Sequence, residues 1–319
     1  MTGVRTVLGD LPPGDLGPTD YHEHLFQVSP LLPGDDLDDP VRSGEEAGRL
    51  RGSGFRAMVD ATPVGLGRRP RDVARIAAAE GLHVVATTGA HREEHYPGSW
   101  LLDQSEDELA ERFTAEVSRG LPASDGPAGG DLAQAPDGKP VRAGLVKAGV
   151  GYWRISAFER RVLAAVARTS RRTGVAVMVH LEHGSAAFEV LEVLAADGVT
   201  ADAVVLAHVD RNPDPVLHAE LAAAGAYLGY DGFARSRSWP DAVVLDCLLR
   251  AAELGAGDRL LLGGDVARRT RYVAYGGMPG LGYLGERVLP RLVRAGHAAL
   301  VERLLVDNPA RLLTLRAVS

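Results

Sequence analysis

Two histidines one residue apart, His22 and His24 in the run TDYHEHLF, are the first chemistry-bearing pattern in the chain. In a β-strand, residues i and i+2 project to the same face. Two imidazole nitrogens can then meet one ion, a geometry that suits zinc. Taken alone, the pair is as easily two polar residues sharing a strand face. It gains weight from four other polar residues. His180 ends the apolar run VAVMVH, His208 ends AVVLAH, Asp265 ends RLLLGGD, and Lys147 falls late in AGLVKAGVG. Leaving such groups buried without partners would cost several kcal/mol each. A shared metal cluster removes that cost. One buried histidine would ordinarily be a satisfied core residue; four, with an aspartate and a lysine at equivalent places, need a common explanation.

Lys147 needs its own account, because an ammonium has no lone pair and repels a cation. Of the 35 basic residues only Lys139 and Lys147 are lysines. Lys139 sits in the loop APDGKPV and is read as ordinary surface. A lysine kept where this chain otherwise writes arginine points to chemistry that a guanidinium cannot perform. Reaction of the amine with CO₂ would yield a carbamate, an anionic, carboxylate-like bridge between metals.

The elements that must position these groups alternate. Strand-like runs are predicted at 19–26, 55–61, 82–89, 143–149, 175–181, 203–208, 226–231 and 260–265, separated by helix-like segments such as ISAFERRVLAAVARTSRRTG. Eight strands with helical crossovers imply a parallel sheet. Eight is also the number that closes a (β/α)₈ (TIM) barrel, whose chemistry lies at the C-terminal ends of its strands. No GxGxxG follows the first strand, so a dinucleotide fold gains no support. The expected organisation is one hydrolase domain over residues 1–319. An irregular Gly/Pro/Ala-rich loop near 120–144 is expected on the N-terminal face, away from the chemistry, and the C-terminal stretch reads as closing helices.

With 319 residues, 45% hydrophobic, the chain can bury a large core, and a net charge of −7 carries no electrostatic footprint for nucleic acid. No apolar stretch approaches a membrane span or a signal peptide, and the lone Cys247 can make no internal disulfide. A cytoplasmic protein with a small-molecule substrate, no nucleic-acid partner and no membrane partner is the expectation.

The set HEHL, VKAGVGY, VHLEHG, AHVDRNPD, GGDVARR and DNPARLL resembles the phosphotriesterase family of the amidohydrolase superfamily across nearly the whole chain. The resemblance implies two divalent ions, zinc being the expected metal with manganese, cobalt or iron as alternatives. His22, His24 and Asp265 would hold one ion and His180 and His208 the other, with carboxylated Lys147 bridging them. It implies further that a metal-bridging hydroxide attacks an ester-type centre and that Asp265 takes up its proton and passes it to the leaving group. A homodimer would fit such a barrel.

Substrate choice should come from the loops after the strands. YDGFARSRSWPDA and DVARRTRYVAYGG are rich in arginine, and barrels often build a phosphate site from the loops after strands seven and eight. Arg237, Arg268, Arg269 and Tyr272 are the candidates to bind a phosphate monoester; surface pairing or contact with a neighbouring subunit is the competing account. His91 in GAHREEHYP stands where the family often has an aromatic residue beside the substrate. These loops resemble the branch that opens phosphorylated sugar lactones, so the expected substrate is a lactone of a small anionic sugar. The alternatives are organophosphate triester hydrolysis, other carboxylester or amide hydrolysis and, in a different class, a barrel that binds a ligand without turnover. Glu23 is expected to face away and make structural hydrogen bonds. His183, Asp210 and Arg211 are expected to support the ligands, and His95 and Tyr96 to line the entrance. His83, His218 and His297 are expected to be ordinary surface or packing residues.

Overall fold

The computed structural model describes residues 3–127, 130–235 and 238–318. A short antiparallel hairpin opens the chain, β1 (Val4–Thr6) with β2 (Gly9–Leu11), and was not anticipated from sequence. Eight parallel strands follow in chain order: β3 (Thr19–Glu23), β4 (Ala57–Asp60), β5 (His83–Gly89), β6 (Ala143–Val150), β7 (Ala176–Leu181), β8 (Val204–Ala207), β9 (Tyr227–Tyr230) and β10 (Leu260–Leu262). Each falls inside or within one residue of a predicted run. The sheet curls until the Asp265 N–H, just past β10, donates to the His22 carbonyl of β3 at 2.8 Å. The result is a nearly closed TIM barrel.

Helices fill every crossover: α1 (Pro40–Gly52), α2 (Pro70–Glu80), α3 (Glu106–Ser118), α4 (Ala157–Thr173), α5 (Ala187–Ala196), α6 (Pro215–Ala223) and α7 (Asp241–Glu253). Their limits are written locally. α4 starts at a capping box in which Ser156 and Glu159 satisfy each other's backbone N–H groups, and it stops at Gly174 in the left-handed conformation. α3 starts at the equivalent box of Ser105 and Glu108.

Alternation along the strands sorts the core into two parts. Outward residues such as Val146, Ala148, Val177 and Val179 pack under the helices. Inward residues, Tyr21, Val59, Leu145, Met178, Val205 and Leu261, fill the barrel. Leu16 and Val4 close its floor together with Leu312 and Leu313 of the C-terminal helix α10 (Asn308–Leu313), reached through α8 (Leu289–Arg294) and α9 (Ala298–Glu302). The floor is packed solid, and the barrel opens at its C-terminal mouth.

The segment near 120–144 departs from expectation. It pairs with itself (Pro122 with Leu132, Gln134 with Pro140) rather than lying loose. It also climbs the outside of the barrel. Asp125 accepts the Gly65 N–H at 2.7 Å and Arg68 at 3.0 Å, both in the loop that follows β4 on the catalytic side. Arg68 is buried and also bonds Glu116 of α3 at 2.7 Å, so removal from the N-terminal face is enforced by an ion-pair network.

Candidate metal centre and substrate cavity

His22 and His24 converge as strand geometry requires: their Nε2 atoms lie 3.7 and 3.6 Å from Asp265 Oδ1. β3 is not a simple ladder, however. Its register against β4 shifts between Asp20 and Glu23, and the neighbours Tyr21 and His22 both reach Asp231 across the barrel. Glu23 is buried and accepts the Val266 N–H at 2.8 Å. Lys147, inward with Leu145 on β6, places Nζ 3.3 Å from His22 Nε2 and donates to the Ala61 carbonyl at 2.9 Å.

His180 points inward with Met178 by alternation. His208 should not, since Ala207 already faces in. It takes φ +67° and swings its ring back over the barrel; Asp265, just past β10, also has a positive φ, +43°. Non-glycine residues in this region cost on the order of 1–3 kcal/mol and persist where the surroundings hold them. The His208 ring centroid lies 4.4 Å from that of His180 and 5.0 Å from that of His22.

Hydrogen bonds fix the tautomer of every one of these rings. His22 Nδ1 faces Asp231 Oδ2 at 3.1 Å and His208 Nδ1 faces Asp231 Oδ1 at 2.6 Å, so both donate there and keep Nε2 unprotonated. His24 Nδ1 meets Thr62 Oγ1 at 2.7 Å, and the Thr62 hydroxyl proton goes to the Phe26 carbonyl, which leaves His24 Nε2 bare as well. His180 donates through Nε2 to Glu182 at 3.1 Å, leaving Nδ1. Burial pulls all four imidazoles down, His24 and His208 to about 3, so they remain neutral donors of a lone pair. Burial likewise drags Lys147 down to about 8, against the pull of Asp265 and Asp231. Asp265 goes the other way: burial opposes its charge, but Arg235 and the neighbouring imidazoles hold it well below the usual carboxylate range. Neutral imidazoles with free nitrogens beside an ionised carboxylate are the donor set a divalent ion takes. His22, His24 and Asp265 form one such group, their ligand atoms all within 4.8 Å of one another, whereas the equally close group of His22, His208 and Asp231 is joined by the two Nδ1–H donors and is a hydrogen-bonded triad.

Above these residues opens a cavity of about 240 Å³. His91 lines it, stacked at 4.4 Å on His180, and so does His95, bonded to Ser29 at 2.9 Å. Tyr96 does not; it is buried, accepting the His91 N–H and donating to the Val64 carbonyl. Of the arginine candidates, Arg268 lines the cavity, whereas Arg237 lies outside the described residues. Arg269 is exposed and stacks on Tyr275 at 4.8 Å, away from the cavity. Tyr272 is fully buried beneath the site, its hydroxyl on the His24 carbonyl. The turn at Arg269–Arg271 decides this outcome, sending Arg271 inward and Arg269 out.

The cavity also holds Arg235 and Arg92, which sequence reasoning passed over, and Arg211, which it expected to support the ligands. Arg235 bonds the Asp265 carboxylate, joined by Arg211 at 3.3 Å. Arg92 pairs with Glu182 at 3.0 Å. Asp231 was legible by the pattern that picked out His180 and His208, since it too ends an apolar run, GAYLGYD. Asp210 supports it from behind, accepting the N–H groups of Asp231 and Gly232 at 3.0 and 2.6 Å.

A family model described as the phosphotriesterase family matches residues 2–313. A phospho-furanose lactonase of Mycoplasmopsis agalactiae is 30% identical over 97% of this chain and 91% of its own length. The crystal structure of a lactonase from Listeria monocytogenes superposes with a TM-score of 0.88 at 31% identity, covering 99% of this chain and 100% of that one. The phosphotriesterase homology protein of Escherichia coli, solved with phosphate in its active site, gives a TM-score of 0.82 at 26% identity, covering 93% and 99%. With the histidine and aspartate groups at the C-terminal mouth of the barrel and the match running from end to end, this chain belongs to the phosphotriesterase family.

Proposed function

We propose that this protein is a two-metal hydrolase that opens the lactone of a small phosphorylated sugar. One observation carries the substrate class. Among the described residues Arg92, Arg211, Arg235, Arg268 and Arg271 line the cavity with two carboxylates, Glu182 and Asp265. Arg211 and Arg235 are engaged with Asp265, and Arg92 with Glu182. Among the described residues Arg271 donates to the carbonyls of Asp265 and Phe233 and to no carboxylate, and the nearest carboxylate to Arg268 is Asp35 at 4.0 Å. Two guanidiniums with charge to spare fit a phosphate monoester by charge-assisted bonds and give a neutral triester nothing to match.

In this reading His22, His24 and Asp265 would hold one ion and His180 and His208 the other, with carboxylated Lys147 as a further anionic ligand. The chemistry such ions would supply is a lowered pKa for a bound water and polarisation of the electrophile's oxygen. The rest belongs to the chain. The Lys147 amine, partly neutral near pH 8, attacks CO₂; an N–C bond forms, a C=O pair moves onto oxygen and an N–H proton leaves to solvent. Arg268 and Arg271 bind the substrate phosphate and set the ring's orientation. Asp265 Oδ1 takes the proton of the attacking water and delivers it to the alkoxide released as the lactone opens. Arg235 and Arg211 keep Oδ2 occupied so that Oδ1 is the oxygen presented.

The test compares initial rates of zinc-loaded protein on a panel of phosphorylated furanose lactones and on a neutral aryl phosphotriester. A kcat/KM at least about a hundredfold higher on a phosphorylated lactone, worth roughly 2.7 kcal/mol of transition-state stabilisation, is expected. Preference for the triester, or for unphosphorylated lactones, would end the substrate assignment and leave the metal centre standing.

A further inference from the structure

We propose that Asp231 is a positioning residue shared by both metal sites, one carboxylate orienting a ligand of each ion so that the two sites load as a unit. The inference rests on the two-ion reading above.

Asp231 lies just past β9 and is wholly buried. Its two oxygens are divided between the two ligand sets. Oδ1 accepts from Nδ1 of His208, and Oδ2 accepts from Nδ1 of His22 and from the Tyr21 hydroxyl. Among the described residues no guanidinium or ammonium lies within ion-pair distance of this carboxylate, whose partners are two imidazoles and a phenol. A buried anion without a formal counter-charge is costly. Ions bound at the far nitrogens of His22 and His208 would supply that charge through the rings, so carboxylate and ions favour one another.

The other two histidine ligands are oriented separately, His24 by Thr62 and His180 by Glu182. Asp231 hydrogen-bonds a ring of each set. Its placement is over-determined. Asp210 grips the backbone N–H groups of Asp231 and Gly232 from below, and the Tyr21 ring passes over Gly229, where an added Cβ would sit 1.9 Å from the phenol oxygen.

The experiment is a calorimetric titration of Zn²⁺ into metal-free protein, with two variants and thermal melting alongside. Partners that orient metal-bound histidines typically contribute 10–100-fold to affinity. Asp231→Asn keeps the volume but presents either a weaker acceptor or an N–H against an N–H. It should weaken both ions by about 10–100-fold, whereas Thr62→Val should weaken only one. Tyr21→Phe leaves the carboxylate in place, and is expected to weaken both ions by a smaller and similar factor; it serves if Asp231→Asn does not fold. Loss at a single ion in Asp231→Asn, or normal affinity for both with only a lower melting temperature, would overturn the proposal. A wild type that takes up fewer than two ions would remove the two-ion reading and this proposal with it. Two ions bound with no lactone turnover would count against the substrate alone.

Discussion

Arg235 donates to Oδ2 of Asp265, the carboxylate whose other oxygen faces the Nε2 atoms of His22 and His24. A carboxylate with four lone-pair sites has little directional preference of its own, so a charged donor on one oxygen decides which is left for the reaction. The guanidinium is also anchored to the carbonyls of Asp231 and Asp265 at 3.4 and 3.3 Å, which limits its own freedom.

Replacing Arg235 by Gln should therefore lower kcat/KM on the lactone by about 10–100-fold, the worth of a charge-assisted hydrogen bond of about 1.5–3 kcal/mol. Arg235→Lys should recover part of the loss, because the charge returns without the fork geometry. Steady-state kinetics on both variants decides; rates within about twofold of wild type would show that Asp265 needs no such clamp.

Arg268 and Arg271 are expected to act on binding rather than on the chemical step. Arg268→Ala combined with Arg271→Ala should raise KM for a phosphorylated lactone by at least about tenfold, with a much smaller change for its unphosphorylated analogue. Arg269→Ala is the internal control, since its side chain stacks on Tyr275 outside the cavity. Equal effects on both substrates would mean that the two arginines serve loop structure instead.

Lys147→Arg keeps a positive charge but removes the amine that can combine with CO₂. We expect a loss of turnover beyond the 10–100-fold typical of supporting residues. A carbamate ¹³C resonance should appear in wild type exchanged with labelled CO₂ and be missing from the variant. Chelation should abolish wild-type activity and added zinc restore it. A variant that retains turnover and metal content would dispose of the carbamate bridge.

His218 offers a pH test removed from the metal ligands. Its Nδ1 accepts from the Tyr230 hydroxyl at 2.5 Å and its Nε2–H donates to the Val209 carbonyl at 3.1 Å, so both ring nitrogens are committed to the neutral form. Burial pulls its pKa down to about 4 from the ordinary 6.5. The unfolded chain thus takes up a proton at a pH where the folded chain refuses it. The stability this contributes is complete above pH 6.5 and is lost as pH falls toward 4, by at most roughly 3 kcal/mol. Denaturant unfolding of wild type and His218→Gln across that interval should show their stability difference shifting against the wild type as pH falls. A difference independent of pH would refute the assignment.

Much of this was visible in the chain itself, and the reason is local. Apolar runs ending in His180, His208 or Asp265 announce strands whose last inward position is polar, and the capping pairs Ser156–Glu159 and Ser105–Glu108 mark where helices begin. What escaped is equally physical. Within ARRTRY no periodicity tells which arginine turns inward, because a single helical turn sets their directions and buries Tyr272 beneath His24. The 120–144 segment seemed remote because sequence order places it before a strand; the Asp125–Arg68 pair carries it to the other end of the barrel.

The sequence by itself determined the order of strands and helices and the candidate ligands, since these follow from side-chain period and residue type over short windows, and its motifs carried the resemblance to the family. Only the tertiary structure decided which nitrogen of each histidine is bare and which carboxylate serves two rings at once. Asp231 meets His208, His22 and Tyr21 from 23, 209 and 210 positions away, and a hydrogen bond across a barrel has no signature in the spacing of neighbours.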